Sequence, residues 1–370
     1  MGNRGLKAEA RQKPDNVMKA LIVKLSSIGD VVQTLPALYS LRKGLGNKAE
    51  IDWLVEEPSS SILKGNPLID NLFVVKNRGW TKDLSASLKT ARLLASRKYD
   101  MVLDFQGLLK SGVWVRAAKG KRSIGFSNSR ELSPMFLTEK LPAYDPDTHA
   151  VDRYLKLAAY AGGALGKAVF QLNITKEDKG KVLDILSWRG IDAQAKTRFF
   201  VIAPQARWET KLWNDGSFAR LAKTAIERFG VYAALAGSEK DKKRLDAICR
   251  EAGPKALNLA GLIDLKGLAA LMGMAMFAIT VDTGPMHIAV AAGAKVIALF
   301  GPTAPWRTGP YGKGHIVIRT GIPCSPCFKK KCPDPRCMSE IKVEDALNAI
   351  ERILNAERIS KDTLGYDIKV

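Results

Sequence analysis

The stretch A-I-T-V-D-T-G-P-M-H-I-A-V-A-A-G-A-K-V-I-A-L-F-G-P-T, residues 278–303, decides the fold class. The apolar run 277–281 has the length and character of a buried parallel strand. It stops at Asp282-Thr283-Gly284-Pro285, which reads as a helix start. Thr283 is a capping type, and Pro285 suits a first turn, where its missing N–H has no partner to lose. Ile288, Ala291 and Ala292 continue at helical spacing, Gly293 stops the helix, and 296–300 is a second apolar strand. A β-α-β unit of this kind presents free backbone N–H groups at its corner, with His287 one turn in, an arrangement suited to phosphate. Taken alone, the same pattern also fits an ordinary β-α turn with a packed histidine.

The same alternation runs outward in both directions. Residues 19–25 read as a first strand entering Ser26-Ser27-Ile28-Gly29-Asp30, after which Val31, Val32, Leu35, Leu38 and Leu41 mark a helix face. Strands are expected at 51–55, 71–75, 101–104 and 122–126, and helices at 84–97 and 149–161. A second series follows, with strands at 199–203, 231–236 and 257–259 and a loop at 204–213. Its helices lie at 218–229, after Gly237-Ser238, from 265, and at 341–354. Two runs of βα units predict an α/β chain of two doubly wound domains facing across a cleft. The expected division is a disordered basic tail (1–17), a first Rossmann-like domain (18–165), a linker (166–196), a second such domain (197–340, including a Cys-rich loop at 323–338), and a C-terminal helix with its tail (341–370).

Composition narrows the chemistry. The 370 residues are 46% apolar and 26% charged, ordinary for a globular protein, but the net charge of +21 is not. It favours an anionic partner, and without a zinc-finger, RNP-like or basic-heptad pattern a membrane surface or acidic substrate is expected rather than nucleic acid. Apolar runs are only strand-length and no signal peptide opens the chain, so the expected location is the cytoplasm. No G-x-x-x-x-G-K-[ST], G-x-G-x-x-G or G-x-S-x-G occurs, which argues against P-loop, dinucleotide and hydrolase chemistry. Three histidines leave little for a His-based metal site. Cys324, Cys327, Cys332 and Cys337 cluster at spacings that fit either a metal or thiols packed in a proline-stiffened loop. Asp145-Pro146-Asp147 reads as a turn.

Six segments, taken in order, carry a resemblance: A-L-I-V-K-L-S-S-I-G-D-V-V-Q-T-L-P (20–36), D-F-Q-G-L-L-K-S (104–111), H-A-V-D-R (149–153), W-E-T-K-L-W (208–213), V-D-T-G-P-M-H-I-A (281–289) and G-P-T-A-P-W-R-T-G-P-Y-G (301–312). Together they resemble the bacterial lipopolysaccharide heptosyltransferases, glycosyltransferase family 9, and are closest to heptosyltransferase I. The Cys-Ser-Pro-Cys-Phe segment is similar to other members, including type II.

The resemblance implies a GT-B transferase that moves L-glycero-D-manno-heptose from ADP-heptose to Kdo of lipid A, inverting the anomeric carbon and requiring no cofactor. It makes Asp30 the base that takes the acceptor's proton, a task an inverting transfer needs one group to perform; an Asp at this position is also a good helix cap. The developing charge on the diphosphate needs fixed donors, and Lys211, Asp282, Thr283, Gly284 and His287 match the donor site. Asp241 aligns with the ribose-hydroxyl acceptor, and Leu262 or Ile263 with the adenine slot. Gly29, Gln106, Lys110 and Arg153 match the acceptor side, with Lys76, Arg78, Arg116 and Arg130 as further basic candidates. The implied partners are the ADP-sugar, Kdo-lipid A and the anionic cytoplasmic face of the inner membrane. The rival readings are heptosyltransferase II, another family member with a different sugar or acceptor, and a non-catalytic nucleotide-binding module at a membrane or nucleic acid.

Overall fold

A computed structural model describes residues 17–76, 83–192 and 197–364. The basic tail up to residue 16, Arg78, and residues 193–196 and 365–370 lie outside the described residues. In chain order the elements are β1 (Lys19–Val23), α1 (Ile28–Leu45), β2 (Glu50–Glu56), β3 (Asn71–Val75), α2 (Leu84–Ser96), β4 (Met101–Asp104), α3 (Leu109–Ala118), β5 (Arg122–Phe126), β6 (Glu139–Leu141) and α4 (Ala150–Tyr160). There follow α5 (Lys176–Trp188), β7 (Phe199–Ala203), α6 (Asp215–Phe229), β8 (Tyr232–Leu235), α7 (Lys242–Ala252), β9 (Ala256–Asn258), α8 (Leu265–Met274), β10 (Phe277–Val281), α9 (Gly284–Ala291), β11 (Lys295–Leu299), β12 (Ile316–Ile318) and α10 (Val343–Leu364).

The strands form two six-stranded sheets, β3-β2-β1-β4-β5-β6 and β12-β11-β10-β7-β8-β9. Every neighbouring pair is parallel, for example Ile22 opposite Trp53 and Leu103. Each sheet is doubly wound about its central pair, so the chain reverses direction at β1/β4 and at β10/β7, where such folds bind ligands. The edge strands β6 and β12 were not expected. Each is only three residues long, and β12 is half-exposed, so neither leaves a readable apolar run.

Helices cover both faces of the first sheet, which is why its strands read as continuous apolar runs rather than alternating ones. Ala20 and Ile22 of β1 pack with Val31, Leu35 and Leu38 of α1 and Leu157 of α4. Leu21 and Val23, pointing the other way, pack with Leu94 of α2 and Trp114 and Val115 of α3. The first of these cores continues into the second half, because α1 lies on α9 and shares its cluster with Met286 and Ile288. Each such buried side chain contributes about 1.5–3 kcal/mol relative to exposure, so the two halves are joined by packing as well as by covalent connection.

A second connection runs through two segments that the sequence had treated separately. Asp147 accepts hydrogen bonds from the Trp306 indole (2.8 Å) and the Arg307 guanidinium (2.7 Å). His149, which receives the Val151 N–H at Nδ1, donates from Nε2 to the Gly309 carbonyl (3.1 Å). The Tyr311 hydroxyl donates to Asp152 (2.7 Å), and its ring lies 5.0 Å from that of His149. Asp145 does form the expected turn, but Asp147 within it reaches across to the other half.

Candidate active site

Asp30 sits one turn into α1, just past the carboxyl end of β1. Its Oδ2 accepts from the Ser27 N–H (3.0 Å) and the Ser27 hydroxyl (2.7 Å), so Ser27 holds the N-cap position and Asp30 closes the capping box from the third helical position. Oδ1 has no hydrogen-bond partner among the described residues. Burial by itself would raise this carboxyl. The Lys24 ammonium, the Ser27 hydrogen bonds and His287 outweigh burial and hold its pKa below the ordinary carboxylate value. It is therefore ionised at neutral pH, with one oxygen free to accept a proton.

Asp30 lines a cavity of about 160 Å³ with Lys24, Gln106, Arg130, Arg153 and Tyr154 among its walls. Lys24 was not singled out from the sequence, because it ends an apolar run and reads as an edge residue of a strand. It is buried, donating to the Phe105 carbonyl (2.9 Å) and the Tyr154 hydroxyl (2.7 Å) and lying 4.5 Å over the Tyr154 ring. A buried lysine is rare unless paired; here the ammonium faces the same cavity as the Asp30 carboxylate. Arg153 stacks on Tyr144 (4.5 Å), and its buried Nε has no partner among the described residues. Lys24, Arg130 and Arg153 outnumber the Asp30 and Asp104 carboxylates that also line the cavity, so it is net basic and carries one free carboxylate oxygen on Asp30, a combination suited to an anionic molecule with a hydroxyl to deprotonate.

Others of the expected acceptor residues are held by bonds within the first half. Gln106 receives the N–H groups of Leu25 (3.1 Å) and Ser26 (3.0 Å), so it fixes the loop that carries Asp30. Lys110 bonds Ser26 (2.7 Å) and Glu56 (2.9 Å) and lines a neighbouring space with Arg207 of the second half. Arg116 is exposed on α3, and Lys76 pairs with Asp83. At the end of β4, burial raises the Asp104 carboxyl, which accepts from Ser133 (2.6 Å) and from the Gln106 and Gly107 N–H groups.

The second corner faces the first. The α9 start meets the α1 start so closely that a Cβ on Gly29 would lie 2.6 Å from His287 Cδ2, and one on Gly284 would lie 3.4 Å from Ile28 Cβ. Gly29 therefore excludes a side chain, for a reason that only the docked halves reveal, while a Cβ on Gly284 would make ordinary van der Waals contact with α1. Thr283 occupies the cap position, but its hydroxyl makes no capping bond, contrary to the role expected from the sequence. Pro285 stands in the first turn as expected. Pro285 has no N–H and the Met286 N–H bonds the Thr283 carbonyl (3.1 Å), so among the described residues the helix start offers the Thr283 and Gly284 N–H groups and the Thr283 hydroxyl without partners.

His287 is buried, and burial, outweighing the attraction of the Asp282 and Asp30 carboxylates, pulls its pKa down to about 4. It is neutral at pH 7. Asp282 accepts from Lys211 (2.6 Å) and Thr303 (2.6 Å), which aims the lysine at the corner, and the Lys211 ammonium also lies 4.5 Å over Trp208. The Cys-rich loop shores up this lysine loop, since Thr210 donates to the Lys329 carbonyl (2.8 Å). Its cysteines are all free: Cys337 is buried, Cys327 half-buried, and Cys324 and Cys332 exposed. Among the described residues no group of three or more His, Cys, Asp or Glu is placed to hold a metal.

Asp241 accepts from the Ser238 N–H (2.8 Å) and hydroxyl (2.6 Å), capping the turn before α7. Glu239, two residues earlier, lies against Gly261 beside the half-buried Leu262. It is a second carboxylate at the expected adenosine end that sequence reasoning passed over. No helix among the described residues is long and apolar enough to cross a membrane.

Comparison with known proteins agrees with this geometry. The family model for glycosyltransferase family 9 (heptosyltransferase) matches residues 87–337. Lipopolysaccharide heptosyltransferase 1 of Pseudomonas aeruginosa is 30% identical over 93% of this chain and 96% of its own length. The solved Escherichia coli heptosyltransferase WaaC with ADP superposes with a TM-score of 0.73 at 26% identity, covering 91% of this chain and all of that one. The same enzyme with ADP-2-deoxy-2-fluoro heptose gives a TM-score of 0.70 at 26% identity over 92% of this chain and all of that one.

Proposed function

The chain belongs to glycosyltransferase family 9, the heptosyltransferases of lipopolysaccharide core synthesis, and from that membership we propose the particular reaction: transfer of L-glycero-D-manno-heptose from ADP-heptose to a Kdo residue of lipid A. The acceptor hydroxyl oxygen attacks the anomeric carbon from the side opposite the diphosphate, so the configuration inverts. As that bond forms, the bond from carbon to the diphosphate oxygen breaks, ADP leaves with the electron pair, and the hydroxyl proton passes to Asp30 Oδ1. The Thr283–Gly284 helix start and Lys211 stabilise the charge gathering on the diphosphate. His287 meets it as a neutral hydrogen-bonding ring.

One observation carries the reading: the Asp30 corner and the Thr283–Gly284 corner touch across the cleft at Gly29 and His287. A donor held at one and an acceptor held at the other would have their reacting atoms in reach of each other. The basic walls of the Asp30 cavity suit the carboxylate of Kdo and the phosphates of lipid A. The relative solved with a fluorinated ADP-heptose supports the donor, and the +21 charge suits work at an anionic cytoplasmic membrane face.

The test is mass spectrometry of Kdo-lipid A, and separately of an already heptosylated acceptor, after incubation with ADP-heptose. A heptose added to the first supports the proposal; a heptose added only to the second makes the enzyme type II. Asp30→Asn separates base from cap, because Asn still accepts the Ser27 hydrogen bonds but not the proton. It is expected to lower kcat by about 10²–10⁴-fold with the ADP-induced thermal shift retained. Undiminished turnover would leave Asp30 as a cap alone. No thermal shift with ADP would overturn the donor assignment and favour a different nucleotide sugar.

A further inference from the structure

The sheet face that carries α2 and α3 is left open by the rest of the chain. α1 and α4 lie on the opposite face, and α1 continues onto the second half. In this outer layer α2 lies against α3, and α3 against the turn Ser133–Phe136. Large apolar side chains project from it into solvent: Leu84 and Leu88 on α2, Leu109 at the start of α3, Leu132 (67% exposed) and Met135 (75% exposed). A single exposed leucine needs no explanation. Several in one layer, rimmed by charge, mark an interaction surface.

The turn is built to present them. Glu131 (φ 54°) and Leu132 (φ 61°) are consecutive non-glycine residues in the left-handed region, a strained arrangement that persists only where the surroundings over-determine it. They do so here. The Arg130 N–H bonds the Gly107 carbonyl (3.0 Å), the Ser133 hydroxyl bonds Asp104 (2.6 Å), and Phe136 packs on the bare Gly112. Leucine gains nothing in water from being held outward by such a turn.

Basic groups outnumber acids around this layer. Lys89 and Arg92 on α2 and Arg116 on α3 are exposed and form no ion pair among the described residues. The nearby acids are committed to helix starts: Asp83 caps α2 through the Ala86 N–H (3.1 Å), and Glu131 receives the Leu109 N–H (3.3 Å). Arg130, at the base of the turn, also lines the cavity that holds Asp30.

We infer that this α2–α3–turn layer is the surface by which the protein docks on an anionic lipid bilayer, with Leu132 and Met135 entering the interface and Lys89, Arg92 and Arg116 among the headgroups. The inference rests on the proposed lipid-borne acceptor for its purpose: docked this way, the cavity wall formed by Ser129 and Arg130, next to the turn, lies beside the membrane. A sugar could then reach Asp30 while its acyl chains stay in the bilayer. Apolar insertion combined with basic attraction is the physical basis of such reversible binding.

The test is co-sedimentation with phosphatidylethanolamine vesicles made with and without phosphatidylglycerol. The unmodified protein should bind only the anionic vesicles. The double variant Leu132→Asn/Met135→Ser should bind at least about tenfold more weakly, with its ADP-induced thermal shift intact; Asn tolerates left-handed backbone better than Leu, so lost binding would not report misfolding. Lys89→Glu/Arg92→Glu should weaken binding independently. Trp188→Ser, an exposed residue on α5, should leave it unchanged. Unaltered binding by both double variants, binding to uncharged vesicles, or a loss seen instead with Trp188→Ser would overturn the assignment. The vesicles carry neither donor nor acceptor, so a failure of the proposed transfer reaction leaves this result standing, and the reverse.

Discussion

His287 gives the sharpest quantitative test of how the two corners meet. Its unfolded-state pKa is 6.5, and burial between α9 and α1 lowers the folded-state value to about 4. Between these values the unfolded chain takes up a proton that the folded chain refuses, so stability falls as pH is lowered through that window. Below about 4 both states are protonated and the loss is complete. At about 1.36 kcal/mol per pKa unit, moving from pH 7 to pH 5 costs about 2 kcal/mol at this one site. His287→Gln keeps a neutral polar group of similar size and removes the titration. Urea unfolding of both proteins at pH 7 and pH 5 should show the unmodified protein losing about 2 kcal/mol more than the variant. Burial also lowers His149 and His315; both are present in each protein and cancel in the comparison. Equal losses in the two proteins would refute the buried, neutral His287, and with it the contact between the corners.

Lys211→Met should destabilise the protein by about 3 kcal/mol, because it leaves the Asp282 carboxylate buried with Thr303 as its remaining partner. Adding Asp282→Asn should recover most of that loss in thermal unfolding without restoring the ADP-induced shift. Gly29→Val places a branched side chain where a Cβ already meets the His287 ring at 2.6 Å. It should cost about 1–3 kcal/mol and abolish turnover, read by the transfer assay; normal activity would mean that the corners do not need to approach. Tyr311→Phe removes the hydroxyl that holds Asp152, with an expected loss of about 1 kcal/mol. Small-angle scattering should then show a larger radius of gyration without ADP, and an unchanged radius would mean that packing alone sets the cleft.

The fold was legible because buried parallel strands write themselves as apolar runs. β3, β4, β5, β7 and β10 have the bounds the sequence suggested; all but β3, a partly exposed edge strand, lie between strand neighbours with their apolar side chains buried. What stayed illegible depends on partners distant in the chain. Gly29 reads as a turn glycine, yet it is bare because a histidine 258 residues later sits against it. Lys24 reads as the polar end of a strand until Phe105 and Tyr154 are folded onto it. The motifs at 149–153 and 301–312 carried the family resemblance, but nothing in either shows that they bond to each other. Thr283 has the right type and position for a cap, and only the backbone geometry shows its hydroxyl left uncommitted.

The cavity's charge also bears on how Asp30 could serve as the base proposed for it. Asp30 is held below the ordinary carboxylate value chiefly because Lys24 opposes the effect of burial, and a carboxylate stabilised in that way is reluctant to take a proton. An anionic acceptor changes the balance. Its own carboxylate, placed among Lys24, Arg130 and Arg153, would compensate the positive field that depresses Asp30 and would add a like charge nearby; both effects raise the pKa of Asp30. The proton affinity of the base would then rise only when the acceptor is bound. The empty pocket would keep Asp30 ionised and ready, and the substrate's own charge would make it basic enough to act.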